Sequence, residues 1–330
     1  MGRDGRVAFG LVLALGFALI ATPSVGEPFA YVTNSGSNTV SVIDTATNSV
    51  LATIAVETQP MGIAVTPDGK RLYVANKASN SISVVDVAHR TVSATIKGSE
   101  IVNPYQVAIS PDGKRVYVLS NVVLNNVQGD IVVINTDTNS VVANISIGRP
   151  TDLVVTPDGK RLYVTTGGLE NIEIVDTATN TVKPMRPQLP GAQYSGLAVS
   201  SDGKYLFVVS PNQQYVVIST ETYNNAIYGV STLAQVIALS PDMQRAYIAG
   251  LGGSISYVQE IDTASPRQQR IYIQSAGSHP GIAADKENKH VYFTNSGLGT
   301  LSVVDVATYK ITQNIPVGAQ PIRVVLGVAP

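Results

Sequence analysis

The sequence predicts an all-β fold, a seven-bladed β-propeller with four antiparallel strands in each blade. A segment of 40 to 46 residues recurs along the chain, which is the period of a propeller blade. Each copy contains four short runs of β-branched and aromatic residues, separated by residues that favour turns. An aromatic residue marks the second run of every copy, at Tyr31, Tyr73, Tyr117, Tyr163, Phe207, Tyr247 and Tyr292.

One complete copy shows the four strands of a blade, here named a to d in chain order. Its strands are the runs at Ile63, Tyr73, Ile82 and Val92. Strands a and b are joined by Pro67-Asp68-Gly69-Lys70, in which the glycine can take the positive φ of a tight turn. An aspartate after strand c, such as Asp44, predicts an Asx turn before strand d. In a propeller, strand a lines the central channel and strand d forms the outer edge.

The two ends of the repeat array predict how the ring closes. The first copy begins directly with strand b, at Tyr31, whereas the chain ends on a segment of strand a type, Pro321-Ile322-Arg323-Val324-Val325-Leu326. We therefore expect the last strand to complete the first blade. Such a closure leaves no long unpaired edge on the inner strands.

The N-terminus has the layout of a cleavable signal peptide. Two arginines precede an apolar run from Val7 to Ile20, and the small residues Ser24 and Gly26 predict a cleavage site. We expect residues 1–26 to be removed and residues 27–330 to form one propeller domain in the periplasm or outside the cell, with no membrane span. The alternative is a retained anchor, although fourteen apolar residues are fewer than the ~20 that span a bilayer.

The charge balance gives no reason to expect a nucleic-acid partner. The chain has 22 Lys and Arg against 23 Asp and Glu, a net charge of −1. Loss of residues 1–26 would remove two arginines and one aspartate and leave −2. Such a protein has little electrostatic attraction to nucleic acid or anionic membranes. The tyrosines of the second strand are explained by packing rather than by base stacking.

The segments Tyr31-Val32-Thr33-Asn34, Tyr292-Phe293-Thr294-Asn295 and Pro67-Asp68-Gly69-Lys70-Arg71 resemble the YVTN-type β-propeller repeat family. The resemblance covers residues 29–328. It implies a cell-surface or periplasmic propeller, similar in fold to seven-bladed lactonases and to the propeller subunits of periplasmic quinone-dependent dehydrogenases. The repeated residues belong to turns and packing, so the resemblance does not choose among these functions.

Composition excludes several kinds of chemistry. The chain has no cysteine, which excludes disulfides, thiolate catalysis and Cys-ligated metals. Its three histidines are His89, His279 and His290, and the repeat divides them between two faces of the propeller, so a three-histidine metal site is not expected. No Gly-x-Ser-x-Gly elbow and no phosphate-cradling glycine loop occur. We assign no catalytic residue, no metal and no cofactor from the sequence.

The a–b turns form one face of the propeller and carry much of the positive charge. They contain Lys70, Arg71, Lys114, Arg115, Lys160, Arg161, Lys204, Arg245 and Lys289. This ring would suit an anion or an acidic partner. The alternative is local neutralisation, because an aspartate occupies most of the same turns.

The opposite face carries the b–c and d–a loops, which vary most between copies and are the usual place for a binding site. One position near the start of strand a reads Gly62, Gln106, Asp152, Gly196, Val236, Gly281 and Arg323 around the ring. Its polar members Gln106, Asp152 and Arg323 are expected to meet at the channel mouth, with Tyr105, Arg149 and His279 nearby. They form either a ligand or partner site or a water-filled polar channel with a structural Asp152–Arg323 pair.

Three functions remain open from the sequence. The favoured one is a non-catalytic, monomeric binding or assembly scaffold, which meets a protein or small molecule at the channel mouth. The second is a lactonase-like hydrolase or lyase, with Asp152 as base and Arg323 as anion anchor. The third is an accessory subunit of a periplasmic quinone-dependent dehydrogenase.

Overall fold

A computed structural model describes residues 29–122, 128–167, 172–185, 194–230, 233–252, 255–263, 268–273 and 281–327. The expected signal peptide, residues 1–26, lies outside the described residues. The described chain forms seven separate four-stranded antiparallel sheets, and the predicted seven-bladed propeller is confirmed. In the part of the chain that the structure describes, no helix is long and apolar enough to cross a membrane.

The strands are numbered β1 to β28 in chain order, and each blade contributes one strand to each of four positions. The inner strands a, from blade one to blade seven, are β28 (Pro321–Gly327), β4 (Pro60–Val65), β8 (Pro104–Ile109), β12 (Pro150–Val155), β16 (Gly196–Val199), β20 (Leu233–Leu239) and β24 (Ile282–Ala284). The strands b are β1 (Phe29–Asn34), β5 (Arg71–Asn76), β9 (Arg115–Val122), β13 (Arg161–Thr166), β17 (Tyr205–Ser210), β21 (Arg245–Gly252) and β25 (His290–Asn295).

The two outer positions complete each sheet. The strands c are β2 (Thr39–Asp44), β6 (Ser81–Asp86), β10 (Gln128–Asn135), β14 (Ile172–Asp176), β18 (Gln214–Ser219), β22 (Ile255–Asp262) and β26 (Thr300–Asp305). The strands d are β3 (Ser49–Ala55), β7 (Thr91–Lys97), β11 (Ser140–Gly148), β15 (Val182–Met185), β19 (Asn225–Gly229), β23 (Gln268–Ile273) and β27 (Lys310–Pro316).

The ring closes as the chain ends predicted. The first sheet has the order β28-β1-β2-β3, so the last strand of the chain is the innermost strand of blade one. Strand β28 pairs antiparallel with β1, with Tyr31 opposite Val325 and Val32 opposite Val324. Each blade therefore has its strand a at the channel and its strand d at the rim.

The repeated aromatic residue of strand b is the centre of each blade's packing. All seven are buried, with exposed fractions of 0–5%. Tyr73 of blade two packs with Val107 and Val118 of blade three, and its hydroxyl donates to Asn139 Oδ1 at 3.0 Å. The repeated aromatic residue therefore packs neighbouring blades against each other, which is the packing role expected from the sequence.

The basic ring of the a–b face also has a structural role. Arg71 donates through Nη1 to the Thr136 carbonyl of the next blade at 2.5 Å, and Arg115 makes the same contact to the Thr177 carbonyl. In the same turns, hydrogen bonds from hydroxyls and backbone amides hold the pKa of the aspartates below its usual range, as Thr66 and Lys70 do for Asp68. These contacts support local neutralisation and leave the b–c and d–a face as the candidate functional surface.

Glycines in or just before strand a permit neighbouring blades to approach closely at the channel. A Cβ on Gly281 would lie 2.6 Å from the Ile322 carbonyl oxygen and 2.7 Å from Arg323 Cα, both of which are backbone atoms. We expect Gly281→Ala to destabilise the fold by about 1–3 kcal/mol, because the overlap forces the backbones of blades seven and one apart. Urea denaturation measures this cost. Gly148→Ala is the matched control, since nothing lies within 4 Å of its added Cβ; equal stability of the two variants would contradict the prediction.

Candidate functional site

The b–c and d–a loops of each blade lie together around one end of the channel. In blade two, the Lys77 amide, just after strand b, donates to the Gln59 carbonyl, just before strand a, at 2.9 Å. At the other end of the same blade, the Val87 amide after strand c donates to the Lys70 carbonyl of the a–b turn at 3.0 Å. The two loop types therefore occupy opposite ends of the propeller, as expected.

A β-bulge interrupts the start of strand a in several blades. The pairing with strand b shifts between Pro60 and Ile63 in blade two, between Pro104 and Gln106 in blade three, and between Pro150 and Asp152 in blade four. Blade six has the same shift between Ala234 and Val236. A bulge leaves one residue out of the ladder and re-aims its side chain. The residue that follows the proline position is the one left out.

These extra residues line a cavity of about 370 Å³ at the channel mouth. Every blade from one to six contributes to it. Its lining consists of Met61, Lys77, Tyr105, Asn121, Pro150, Thr151, Ser195, Pro211, Gln235, Val236, Ile322 and Arg323. The volume lies at the small end of the range for small-molecule sites, ~300–1,000 Å³. The cavity is the candidate functional site.

Gln106 and Asp152 meet directly behind this lining. Gln106 Nε2 donates to Asp152 Oδ1 at 2.5 Å, and the Leu153 amide donates to the same oxygen at 2.9 Å. The other carboxylate oxygen, Oδ2, accepts the Leu197 amide of blade five at 3.1 Å. Asp152 is 5% exposed. A single carboxylate thus joins the inner strands of blades three, four and five.

Burial raises the pKa of the Asp152 carboxyl above its usual range. The positive charge of Arg323 and the three hydrogen bonds that the carboxylate accepts act in the opposite direction, and burial outweighs them. Arg323 acts through its field, since no ion pair joins the two side chains. The guanidinium group forms no hydrogen bond or ion pair with any described residue, and it lines the cavity.

Of the three residues expected near Gln106, Asp152 and Arg323, one lines the cavity and one does not, and the third lies outside the described residues. Tyr105 lines the cavity, and its hydroxyl donates to the Pro150 carbonyl of the next blade. Burial raises the pKa of its phenol, which keeps it neutral. Arg149 is exposed in the d–a loop with φ of 40°, and it is not part of the cavity lining. His279 lies outside the described residues.

Of the residues that the sequence singled out, Tyr105 and Arg323 line the cavity, whereas Gln106 and Asp152 do not. The rest of the lining was not predicted: Met61, Lys77, Asn121, Pro150, Thr151, Ser195, Pro211, Gln235, Val236 and Ile322. A signal for Lys77 exists in the repeat, because the residue after strand b is uncharged in the other six copies: Ser35, Asn121, Gly167, Pro211, Leu251 and Ser296.

The YNCE-like β-propeller family matches this chain over residues 12–328. The chain belongs to this family. Its membership agrees with the seven blades and with the YVTN-type repeat segments in the sequence. A sequence comparison with curated proteins found no match.

Solved structures similar to this family member share its fold at low sequence identity. A functionally unknown protein from Desulfotomaculum acetoxidans has a TM-score of 0.77 at 14% identity, covering 92% of this chain and 99% of that one. The periplasmic gluconolactonase of Pseudomonas aeruginosa has a TM-score of 0.73 at 16% identity, covering 92% and 100%. Apo AztD from Citrobacter koseri has a TM-score of 0.67 at 14% identity, covering 92% and 98%. These likenesses establish the shared fold and leave the activity open.

Proposed function

We propose that this protein is an extracytoplasmic binding scaffold that receives a small molecule or a partner protein at the channel mouth and does not transform it. The observation that carries the proposal is the cavity of about 370 Å³, which the bulged residues of strand a line. The bulged side chains differ from blade to blade, whereas the residues that build the blades repeat. Such a site on a rigid ring is suited to selective binding.

The contacts of the acidic and phenolic groups favour binding over catalysis. Both oxygens of Asp152 accept hydrogen bonds from other blades or from its own strand. The Tyr105 hydroxyl is bonded to the Pro150 carbonyl. A general base has to reach a substrate proton, and Asp152 lies behind the cavity lining rather than in it. The lactonase-like alternative has the shared fold of a gluconolactonase in its favour, at 16% identity.

The proposed location is the periplasm or the cell exterior. The N-terminal residues have the layout of a signal peptide, and one structural neighbour is described as periplasmic. In this proposal residues 27–330 are the mature, monomeric propeller, and nucleic acid is not a partner. The third function, an accessory subunit of a dehydrogenase, requires a redox protein to co-purify with the propeller from native envelope.

A reporter at the mouth tests the proposed function. Because the chain has no cysteine, Met61→Cys creates a single thiol in the cavity lining, which takes an environment-sensitive fluorophore. We expect a saturable fluorescence change with a fraction of the native envelope extract, and no consumption of the bound compound. Ala46→Cys, exposed in a c–d turn on the other face, is the matched control and is expected to stay silent.

Two results would contradict the proposal. One is the absence of any response at position 61 that position 46 does not also give. The other is steady turnover of a lactone or sugar acid by the unlabelled protein, lost on Asp152→Asn, which would establish the hydrolase or lyase instead. Excess unlabelled protein is expected to compete for the bound compound or partner and so to remove the fluorescence change at position 61.

A further inference from the structure

The described part of the cavity lining is positively charged. Among its described residues, Lys77 and Arg323 are cationic and none is an aspartate or a glutamate. Neither cation forms an ion pair with a described residue. Other cations of the described chain do, as Lys97 does with Glu57 and Lys204 with Asp202. Lys77 and Arg323 are therefore available to pair with a bound anion.

Burial makes this imbalance significant. Lys77 and Arg323 are both partly buried, and strands of blades one and two bring them to the same opening. Partial desolvation of a cation costs free energy unless an anion or hydrogen-bond acceptor compensates it. Among the described residues, Asp152 is the carboxylate on which the charge of Arg323 acts, and its two oxygens already accept three hydrogen bonds. A bound anion would supply the missing partner.

The lining also contains two hydroxyl groups, those of Thr151 and Ser195, which can bind polar groups of a ligand. Thr151 Oγ1 lies 2.8 Å from the Tyr194 carbonyl and 2.8 Å from Thr165 Oγ1, and Ser195 Oγ donates to the Ala234 carbonyl at 2.8 Å. Each hydroxyl has one proton, so its oxygen can also accept a hydrogen bond, and both residues line the cavity. A ligand that satisfies them carries hydroxyl groups of its own. Met61 and Ile322 add apolar surface for its carbon chain.

We propose that the channel mouth binds a small hydroxylated carboxylate. Arg323 and Lys77 hold the carboxylate, and the Thr151 and Ser195 oxygens accept hydrogen bonds from the ligand's hydroxyls. Arginine suits the anion because its guanidinium group can donate two parallel hydrogen bonds to a carboxylate. The cavity volume of about 370 Å³ limits the ligand to a small molecule. This inference rests on the proposed function and specifies its ligand class.

Calorimetric titration with four probes tests the ligand class. D-Gluconate has both chemical features, hexanoate has the carboxylate alone, D-sorbitol has the hydroxyls alone, and an acidic hexapeptide presents carboxylates on a polypeptide. We expect gluconate to bind most tightly, with hexanoate and sorbitol each about tenfold weaker or more. Affinity for gluconate is expected to fall as salt rises, because the cations are partly exposed.

Charge variants test the two anchors. Arg323→Gln and Lys77→Gln are each expected to weaken gluconate binding about tenfold or more, while Arg323→Lys retains part of it. Lys70→Gln, on the a–b face, is the matched control and is expected to bind as the parent does. Melting curves of each variant show that the fold persists, so that a loss of affinity is not a loss of protein.

Three outcomes would overturn the inference. They are sorbitol or the acidic peptide binding as well as gluconate, no measurable binding of gluconate, or unchanged gluconate affinity in both Arg323→Gln and Lys77→Gln. The proposed function fails separately. If the fluorophore at position 61 responds to an uncharged compound from the extract, the mouth is a binding site and only the ligand class is wrong.

Discussion

Deletion of residues 321–330 is expected to unfold the whole propeller and not only to remove one strand from it. Strand β28 is the innermost strand of blade one, and its removal exposes the whole inner edge of β1. Unpaired backbone groups on a buried strand are costly, and an exposed strand edge promotes aggregation. The deletion therefore opens the ring at its closure.

The packing contacts of β28 indicate the size of the effect. Val324 packs with Tyr292 of blade seven, and Val325 packs against Ile63 of blade two. Ile322 and Val324 are 8% and 4% exposed. Each buried aliphatic side chain of this kind contributes about 1.5–3 kcal/mol. Together with the lost strand pairing, the deletion is expected to remove most of the 5–15 kcal/mol that typically stabilises a domain.

Circular dichroism and gel filtration measure this prediction. The truncated protein is expected to show no cooperative melting transition and to elute as expanded or aggregated material. Deletion of residues 328–330 alone is the control and is expected to melt as the parent does. A synthetic peptide of residues 319–330, added during refolding, is expected to restore part of the transition. An unchanged melting temperature in the truncated protein would show that β28 does not close the ring.

Much of the fold could be predicted because it is repeated. A position that recurs seven times, such as Tyr73 and its equivalents, identifies itself as packing, and Asp68-Gly69 identifies a turn by the chemistry of its backbone. The glycine has φ of 72°, as the turn requires. The closing strand was predictable since the array begins on strand b and ends on strand a.

The cavity lining could not be predicted because it depends on departures from regular geometry. Strand residues alternate between two faces, and a bulge reverses the alternation beyond it. Gln106 and Asp152 were expected at the channel mouth, whereas Thr151, the bulged residue of blade four, lines the cavity and was not expected there. Gln106 and Asp152, which share one position of the repeat, contact each other, and Arg323 lines the cavity. The sequence does not predict the hydrogen bond from the Leu197 amide to Asp152, because the two residues are 45 positions apart and lie in different blades.

The hydrogen bond from the Leu197 amide to Asp152 also predicts that substitution of Asp152 lowers the stability of the fold. Asp152→Ala leaves Gln106 Nε2 and the amides of Leu153 and Leu197 without their acceptor, in surroundings where both leucines are at most 6% exposed. A buried donor without a partner costs about 1–3 kcal/mol. We expect a loss of about 3–5 kcal/mol in the free energy of unfolding, seen as a fall in melting temperature on the order of 10 °C. Asp176→Asn is the matched control, since Asn135 occupies the equivalent turn of blade three.

The pH dependence of stability distinguishes the charge of Asp152 from its hydrogen bonds. Burial raises the folded-state pKa of this carboxyl above its unfolded value. The stability that it contributes is therefore complete below the unfolded pKa, about 4, and is lost as the pH rises through the folded pKa. Asp152→Asn has no such titration. Its destabilisation relative to the parent, measured by urea denaturation, is expected to be largest near pH 4 and to shrink towards pH 7. A gap that instead widens with pH would mean that the three donors and Arg323 outweigh burial, and that the folded protein holds Asp152 as a preferred anion.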